Sequence, residues 1–176
     1  LYNTLGFLGG AVLGFIYAPL TMTGMHHSIL PVEMQLFANI AVTGGSFFLA
    51  IASCNNVAQG AASLASIITS KNKKLRSIAL TSGISALLGI TEPAMFGVNL
   101  KLKTPFYSAM IGSALGSAYS VFTNVLNVSP GPTGIIGFVT IRPQNIVNFF
   151  ISLGIAFVVT FILTLVLSKK NKSITI

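Results

Sequence analysis

Only two acidic residues, Glu33 and Glu92, occur in this chain of 176 residues. Glu92 lies in the stretch Gly89-Ile90-Thr91-Glu92-Pro93-Ala94-Met95-Phe96-Gly97, with apolar runs on both sides. A carboxylate among such neighbours loses water, at a cost that other groups must offset. Pro93 removes a backbone donor and biases Glu92 away from helical angles, while Gly89 and Gly97 loosen the chain on either side. The pattern predicts a broken helix or hairpin tip, with free backbone groups beside the carboxylate. Within a bilayer such a tip survives where it lines a cavity or is buried in protein; the competing reading is a loop between spans with a solvated Glu92.

The histidines, His26 and His27, are adjacent, flanked by Thr23, Gly24 and Ser28 inside an apolar region. Their rings can donate and accept hydrogen bonds to a polar solute. A metal site is not expected, because adjacent residues on one helix point about 100° apart and no Cys or Asp lies nearby. Glu33 reads as an interfacial residue helping to begin a helix at Met34. The polar run Ser53-Cys54-Asn55-Asn56-Val57-Ala58-Gln59-Gly60 offers uncharged donors and acceptors. Asn56 and Gln59 serve either a substrate or neighbouring helices. No phosphate-binding loop, dinucleotide fingerprint or Ser-His-Asp order is present, so self-contained catalysis and a cofactor are not expected.

The composition limits what can position these groups. Apolar residues make up 53% of the chain, charged residues 7%, and the mean hydropathy is +0.85. Soluble domains carry about a quarter charged residues, so the chain reads as an integral membrane protein. The net charge of +8 comes from short basic clusters between apolar runs. That fits cytoplasmic loops of a membrane protein rather than a nucleic-acid surface. The single Cys54 excludes an internal disulfide. Leu1 opens directly into an apolar run, with no cleavable signal, as expected of a piece cut from a longer protein.

In chain order, residues 4–20 form a first span ended by Pro19, with Gly6, Gly10 and Gly14 at a spacing that lets helices approach. Residues 34–52 form a second apolar segment interrupted at Gly44-Gly45-Ser46, followed by a helix over 57–70. Lys71, Lys73, Lys74 and Arg76 mark the cytoplasmic side. Residues 77–89 are too few to cross a bilayer core of roughly 30 Å. They are expected to form a re-entrant arm carrying Glu92 toward the midplane, with a return through 96–102 to Lys101 and Lys103. Residues 105–126 and 146–167 are the final spans. Between them Ser129 to Gly134 is a turn-rich outer loop and 135–141 is extended or interfacial. Lys169, Lys170 and Lys172 close the chain on the cytoplasmic side, and 173–176 form a frayed tail. The fold class is all-α integral membrane: transmembrane helices plus a re-entrant hairpin.

Three stretches resemble the membrane (IIC) component of bacterial phosphotransferase-system sugar permeases of the glucose/sucrose/β-glucoside superfamily. They are Gly24-Met25-His26-His27, Asn56-Val57-Ala58-Gln59-Gly60 and Gly89-Ile90-Thr91-Glu92-Pro93. The continuation from Ala94 to Lys103 is most similar to the sucrose and trehalose branch. The resemblance covers essentially all 176 residues and corresponds to the C-terminal half of a IIC domain, without IIB or IIA. It implies a multi-pass protein of the bacterial inner membrane that binds a sugar, carries it across by an elevator-like movement and presents it to a IIB domain. It also implies IIA and IIB partner domains, the lipid bilayer and a homodimer of the full IIC. No phosphoryl-carrying residue is expected here, since the surroundings of Cys54 do not resemble a IIB site. Carried over by motif, Glu92 and either His26 or His27 contact the sugar, with Thr91, Gly89, Asn56, Gln59 and Phe96 as further candidates.

The chemistry suits that implication. A sugar presents many hydroxyls that each need a partner once desolvated, and an ionised carboxylate can hold two of them with charge-assisted bonds. Phe96 either stacks on a pyranose face or packs against neighbours. Two other readings stay open: a proton- or sodium-coupled transporter in which Glu92 and His27 relay protons, and a non-transporting assembly fragment.

Overall fold

Glycines at four-residue spacing set the closest helix contacts. In the computed structural model, which describes residues 2–170 and the side chains of 6–169, helix α1 (Tyr2–Met22) lies along α8 (Thr104–Phe122). A Cβ added to Gly10 would sit 2.7 Å from the Ser117 carbonyl, and one added to Gly14 2.7 Å from that of Ser113. The two helices run antiparallel, because Gly6 meets Val121 while Gly14 meets Ser113. On the other side of α8, Gly112 and Gly116 face Ala156, Thr160 and Ser152 of α9 (Ile146–Lys170). With hydrocarbon tails as apolar as leucine, such backbone approach is a main source of helix association in a membrane.

Helix α4 (Phe48–Thr69) runs through the centre and is buried almost throughout. Its Ala50, Cys54, Val57, Ala58 and Ala62 pack with Ala109 of α8 and Phe149, Leu153 and Ala156 of α9. Its Gly60 meets the Gly83 carbonyl of α5 (Lys73–Leu87), and Ser63 Oγ donates to the Ala79 carbonyl at 3.0 Å. Helix α5 starts cleanly because Asn72 Oδ1 accepts from the amides of Lys74 and Leu75 at 2.9 and 3.2 Å. After α5 the chain turns at Gly89 (φ +102) into α6 (Glu92–Ala94), a wide π-helical turn (Met95–Asn99) and α7 (Leu100–Leu102). Gly97 lies against Ile78, so the return strand of this hairpin folds back on α5.

The described residues are all-helical apart from loops, with only isolated bridges from Asn127 to Ser46 and Ile141. Among them, residues 143–169 are long and apolar enough to cross a membrane, while Gly6–Met22 is apolar but shorter. The antiparallel order of α4, α5, α8 and α9 gathers Lys71, Lys73, Lys74, Arg76, Lys101, Lys103 and Lys169 at one end. The opposite end is knit by hydrogen bonds between the Ser46 and Asn127 main chains, 2.8 and 2.9 Å, and by the Arg142 guanidinium on the Gly44 carbonyl.

Several boundaries differ from the sequence expectation. Pro19 does not end α1, which continues to Met22. The Pro19 carbonyl still accepts from the Thr23 amide, and Thr21 and Thr23 hydroxyls bond back to the preceding turn. The apolar run 34–52 is interrupted at Gly44 (φ +77) and Gly45 (φ +134), as expected, ahead of α4, but it is also broken at Asn39 (φ −108, ψ 33), between α2 (Leu30–Ala38) and α3 (Ile40–Thr43). The helix expected over 57–70 begins earlier, at Phe48, so the polar run 53–60 lies inside α4. Residues 135–140 form a 3₁₀ turn rather than an extended segment, closed by Gly137 N on the Gly134 carbonyl. Lys172 and the tail expected over 173–176 lie outside the described residues.

Candidate functional site

The site forms where the hairpin tip, the start of α4 and the turn after α1 converge. Gly24 (φ +76) ends α1 and lets the chain enter a 3₁₀ turn, Met25–Ile29, that carries both histidines. Their ring centroids are 4.0 Å apart, and Tyr17 of α1 stands 6.4 Å from His26. His26 is half-buried and His27 exposed. Helix α2 follows at once, with Pro31 in its first turn, and places Glu33 on the inner side.

These elements enclose an open cavity of about 230 Å³. Tyr17, Thr21, His26 and His27 form one wall, and Leu30 and Glu33 of α2 a second. Phe48, Leu49, Ala52 and Asn56 of α4 form the floor. Gly89, Thr91 and Glu92 of the tip, with Thr133 from the 129–134 loop, complete it. Among the described residues neither Lys nor Arg lines it.

Asn56 ties the tip to that loop. Its Nδ2 donates to Thr133 Oγ1 at 2.7 Å and to the Gly89 carbonyl at 3.4 Å. One turn away Ser53 Oγ accepts from the Gly134 amide at 3.1 Å. Gly89 and Gly134 (φ +78) pack backbone to backbone: a Cβ on Gly134 would lie 2.5 Å from the Leu87 carbonyl, and one on Gly89 2.7 Å from that of Thr133. Thr91 is buried beside them, while Glu92 reaches the cavity with its side chain exposed.

The structure therefore brings Glu92, His26, His27, Thr91, Gly89 and Asn56 to one cavity from three distant stretches. It does not bring Gln59 or Phe96 there. Gln59 is fully buried, and its backbone carbonyl and Oε1 both accept from Asn99 Nδ2, at 2.9 and 2.8 Å. That pair fastens the π-helical turn to α4. Phe96 is 47% exposed on the hairpin's return. Of the two placements expected for Glu92, it takes the one lining the cavity, with its side chain exposed. The expectation for Glu33 is corrected. It is 4% exposed, sits one turn into a helix that begins at Leu30, and accepts from Ser46 Oγ at 2.9 Å.

Glu33, Thr133, Tyr17 and Phe48 are cavity residues that the sequence reading missed. For Glu33 a signal existed, since one of two acids in so apolar a chain lies a short step after the histidine pair. Thr133 had none beyond a turn-rich loop. Cys54 is fully buried, with Sγ 3.7 Å from Ser152 Oγ, and stands away from the cavity.

Comparison with known proteins gives the family. The family described as phosphotransferase system, EIIC matches residues 1–114. The sucrose-specific EIIBC component of the PTS system from Vibrio alginolyticus is 53% identical over 173 residues, covering 98% of this chain and 36% of that protein. The sucrose-specific EIIBCA component from Pediococcus pentosaceus is 45% identical over 97% of this chain and 26% of its own length. The trehalose-specific EIIBC component from Bacillus subtilis (strain 168) is 41% identical over 91% of this chain and 34% of its own length. The chain thus spans about a third of these relatives. No solved structure matches it at a significant level. The histidine-pair, Asn56–Gly60 and Gly89–Pro93 stretches all fall inside the matched region, and the chain belongs to the phosphotransferase system EIIC family, a family of membrane permeases.

Proposed function

We propose that this chain is the C-terminal half of an EIIC domain, which binds a sugar of the sucrose or trehalose class and presents it for phosphorylation. One observation carries this reading: Glu92, the histidine pair, Thr91, Gly89 and Asn56 converge on one cavity from three separate stretches. Glu92 holds two sugar hydroxyls through charge-assisted bonds. The imidazoles of His26 and His27, the carboxamide of Asn56, the Thr91 hydroxyl and the backbone at Gly89 complete the set. The work of the chain is to position the sugar, with one hydroxyl open to the phosphoryl donor.

The partners in this reading are a IIB domain, joined to EIIC in the EIIBC and EIIBCA relatives named above, a IIA domain, joined as well in the EIIBCA relative, and the bilayer of the bacterial inner membrane. The chain is multi-pass, and the full IIC is a homodimer. The α5 hairpin is re-entrant. With 15 residues, α5 rises about 22 Å, short of a core of roughly 30 Å. It starts from the basic end, and its return carries Lys101 back there. The basic end is cytoplasmic by the positive-inside rule.

The deciding experiment uses membrane vesicles containing the full-length protein. Accumulation of sugar phosphate that requires phosphoenolpyruvate supports the proposal. Two carboxylates and two imidazoles in one cavity also suit a proton- or sodium-coupled transporter. Uptake of unmodified sugar abolished by an uncoupler or by sodium removal, without need of phosphoenolpyruvate, would establish that reading instead.

A further inference from the structure

The two acids lie on different walls of the same cavity. Glu92 comes from the hairpin tip and Glu33 from α2. Glu33 is 4% exposed, and among the described residues no Lys or Arg lines the cavity to neutralise it. Its fixed partners are the Leu49 amide and the Ser46 hydroxyl, which donates to Oε1 at 2.9 Å while accepting from the Phe48 amide at 3.2 Å. Ser46 is itself held by the main-chain pair with Asn127. A carboxylate has about four acceptor positions, and a buried one short of donors is costly. Glu33 is thus a rigidly placed acceptor with spare capacity, facing the space where a polyhydroxylated solute would sit. Tyr17 and Phe48 beside it offer flat faces for the C–H side of a sugar ring.

We infer that Glu33 is a second carboxylate ligand of the sugar, gripping hydroxyls from the α2 wall that Glu92 does not reach. This rests on the proposed sugar-binding function and goes beyond it, because Glu33 lies outside the three motif stretches. Donors, not a cation, are the better match: the Ser46 hydroxyl and the Leu49 amide already hold the carboxylate through hydrogens, and its remaining lone pairs suit further hydroxyls.

The test is equilibrium binding of sucrose, trehalose and singly deoxygenated sucrose analogues to the full-length protein in detergent. Glu33→Gln keeps an oxygen for Ser46 but removes the charge. It should weaken sucrose binding by about ten- to a hundredfold, with the melting temperature held. At least one deoxy analogue should bind wild type more weakly than sucrose yet bind Glu33→Gln no worse than sucrose does, which marks the lost hydroxyl contact. Glu33→Asp, which keeps the charge but withdraws it, should lose affinity with the same analogue pattern and serves if the glutamine variant fails to fold. Wild-type sucrose affinity in Glu33→Gln alongside lost binding in Glu92→Gln would overturn this inference alone. No sugar binding by wild type would instead overturn the function it rests on. A sodium requirement in wild type that vanishes in Glu33→Gln would make Glu33 a cation ligand and also overturn it.

Discussion

Two glycines flank Glu92, and replacing each by alanine should have opposite effects. Gly89 has φ +102, and a Cβ there would lie 2.7 Å from the Thr133 carbonyl oxygen and 3.3 Å from its carbon. The backbone conformation alone costs an L-residue about 1–3 kcal/mol. The obstacle is main chain, not the end of a flexible side chain, so overpacking adds about 1–3 kcal/mol. Together the change should destabilise the folded protein by about 2–6 kcal/mol or force the tip off the 129–134 loop. In the second case the 2.7 Å bond from Asn56 to Thr133 is lost and the cavity opens. Gly97 has no strained angle, and its Cβ would meet only Ile78 Cγ2 at an ordinary 3.5 Å. Gly97→Ala should be neutral or stabilise by about 0.5–1 kcal/mol by restricting the unfolded chain. Thermal melting of the full-length protein in detergent, with sucrose binding on the same samples, reads both. Gly89→Ala as stable as wild type with unchanged binding, or Gly97→Ala as damaging as Gly89→Ala, would refute this account of the tip.

Other contacts give sharper local tests. Gly112→Ala would place a Cβ 1.9 Å from Thr160 Oγ1 and 2.8 Å from the Ala156 carbonyl, so it should part α8 from α9 and lower the melting temperature. Thr160→Ala in the same chain should restore part of the loss but not all, because the carbonyl remains. Asn99→Ala should leave the buried Oε1 of Gln59 unpaired and cost about 1–3 kcal/mol, with sucrose affinity changing far less than stability. A loss of affinity in Asn99→Ala at unchanged stability would return that pair to the binding site.

Much of the site could be read from residue types that are expensive in a bilayer. Glu92 next to Pro93, with Gly89 before it, announced a tip, and the basic run Lys71 to Arg76 announced the end from which the hairpin departs. The recurring glycines of α1 and α8 announced close packing. The glycines at 44 and 45 announced the interruption ahead of α4, but the break at Asn39 between α2 and α3 was harder, because it falls in an apolar run with no glycine or proline beside it. The start of α4 at Phe48, ahead of the expected 57, was hidden by the polar residues 53–56. Asn56 and Gln59 are tolerated mid-helix because Thr133 and Asn99, far along the chain, bond to them. Glu33 shows the same limit. Its burial depends on Ser46, which a separate turn supplies.

Glu92→Gln in the full-length protein tests the central claim most directly, by direct measurement of sucrose or trehalose binding. The substitution keeps the shape of the side chain and removes the charge that strengthens its hydroxyl contacts, each worth about 1.5–3 kcal/mol. Binding should weaken at least about tenfold, with folding and membrane insertion intact. Wild-type affinity and normal phosphoenolpyruvate-dependent phosphorylation in that variant would contradict the claim that this carboxylate holds the sugar.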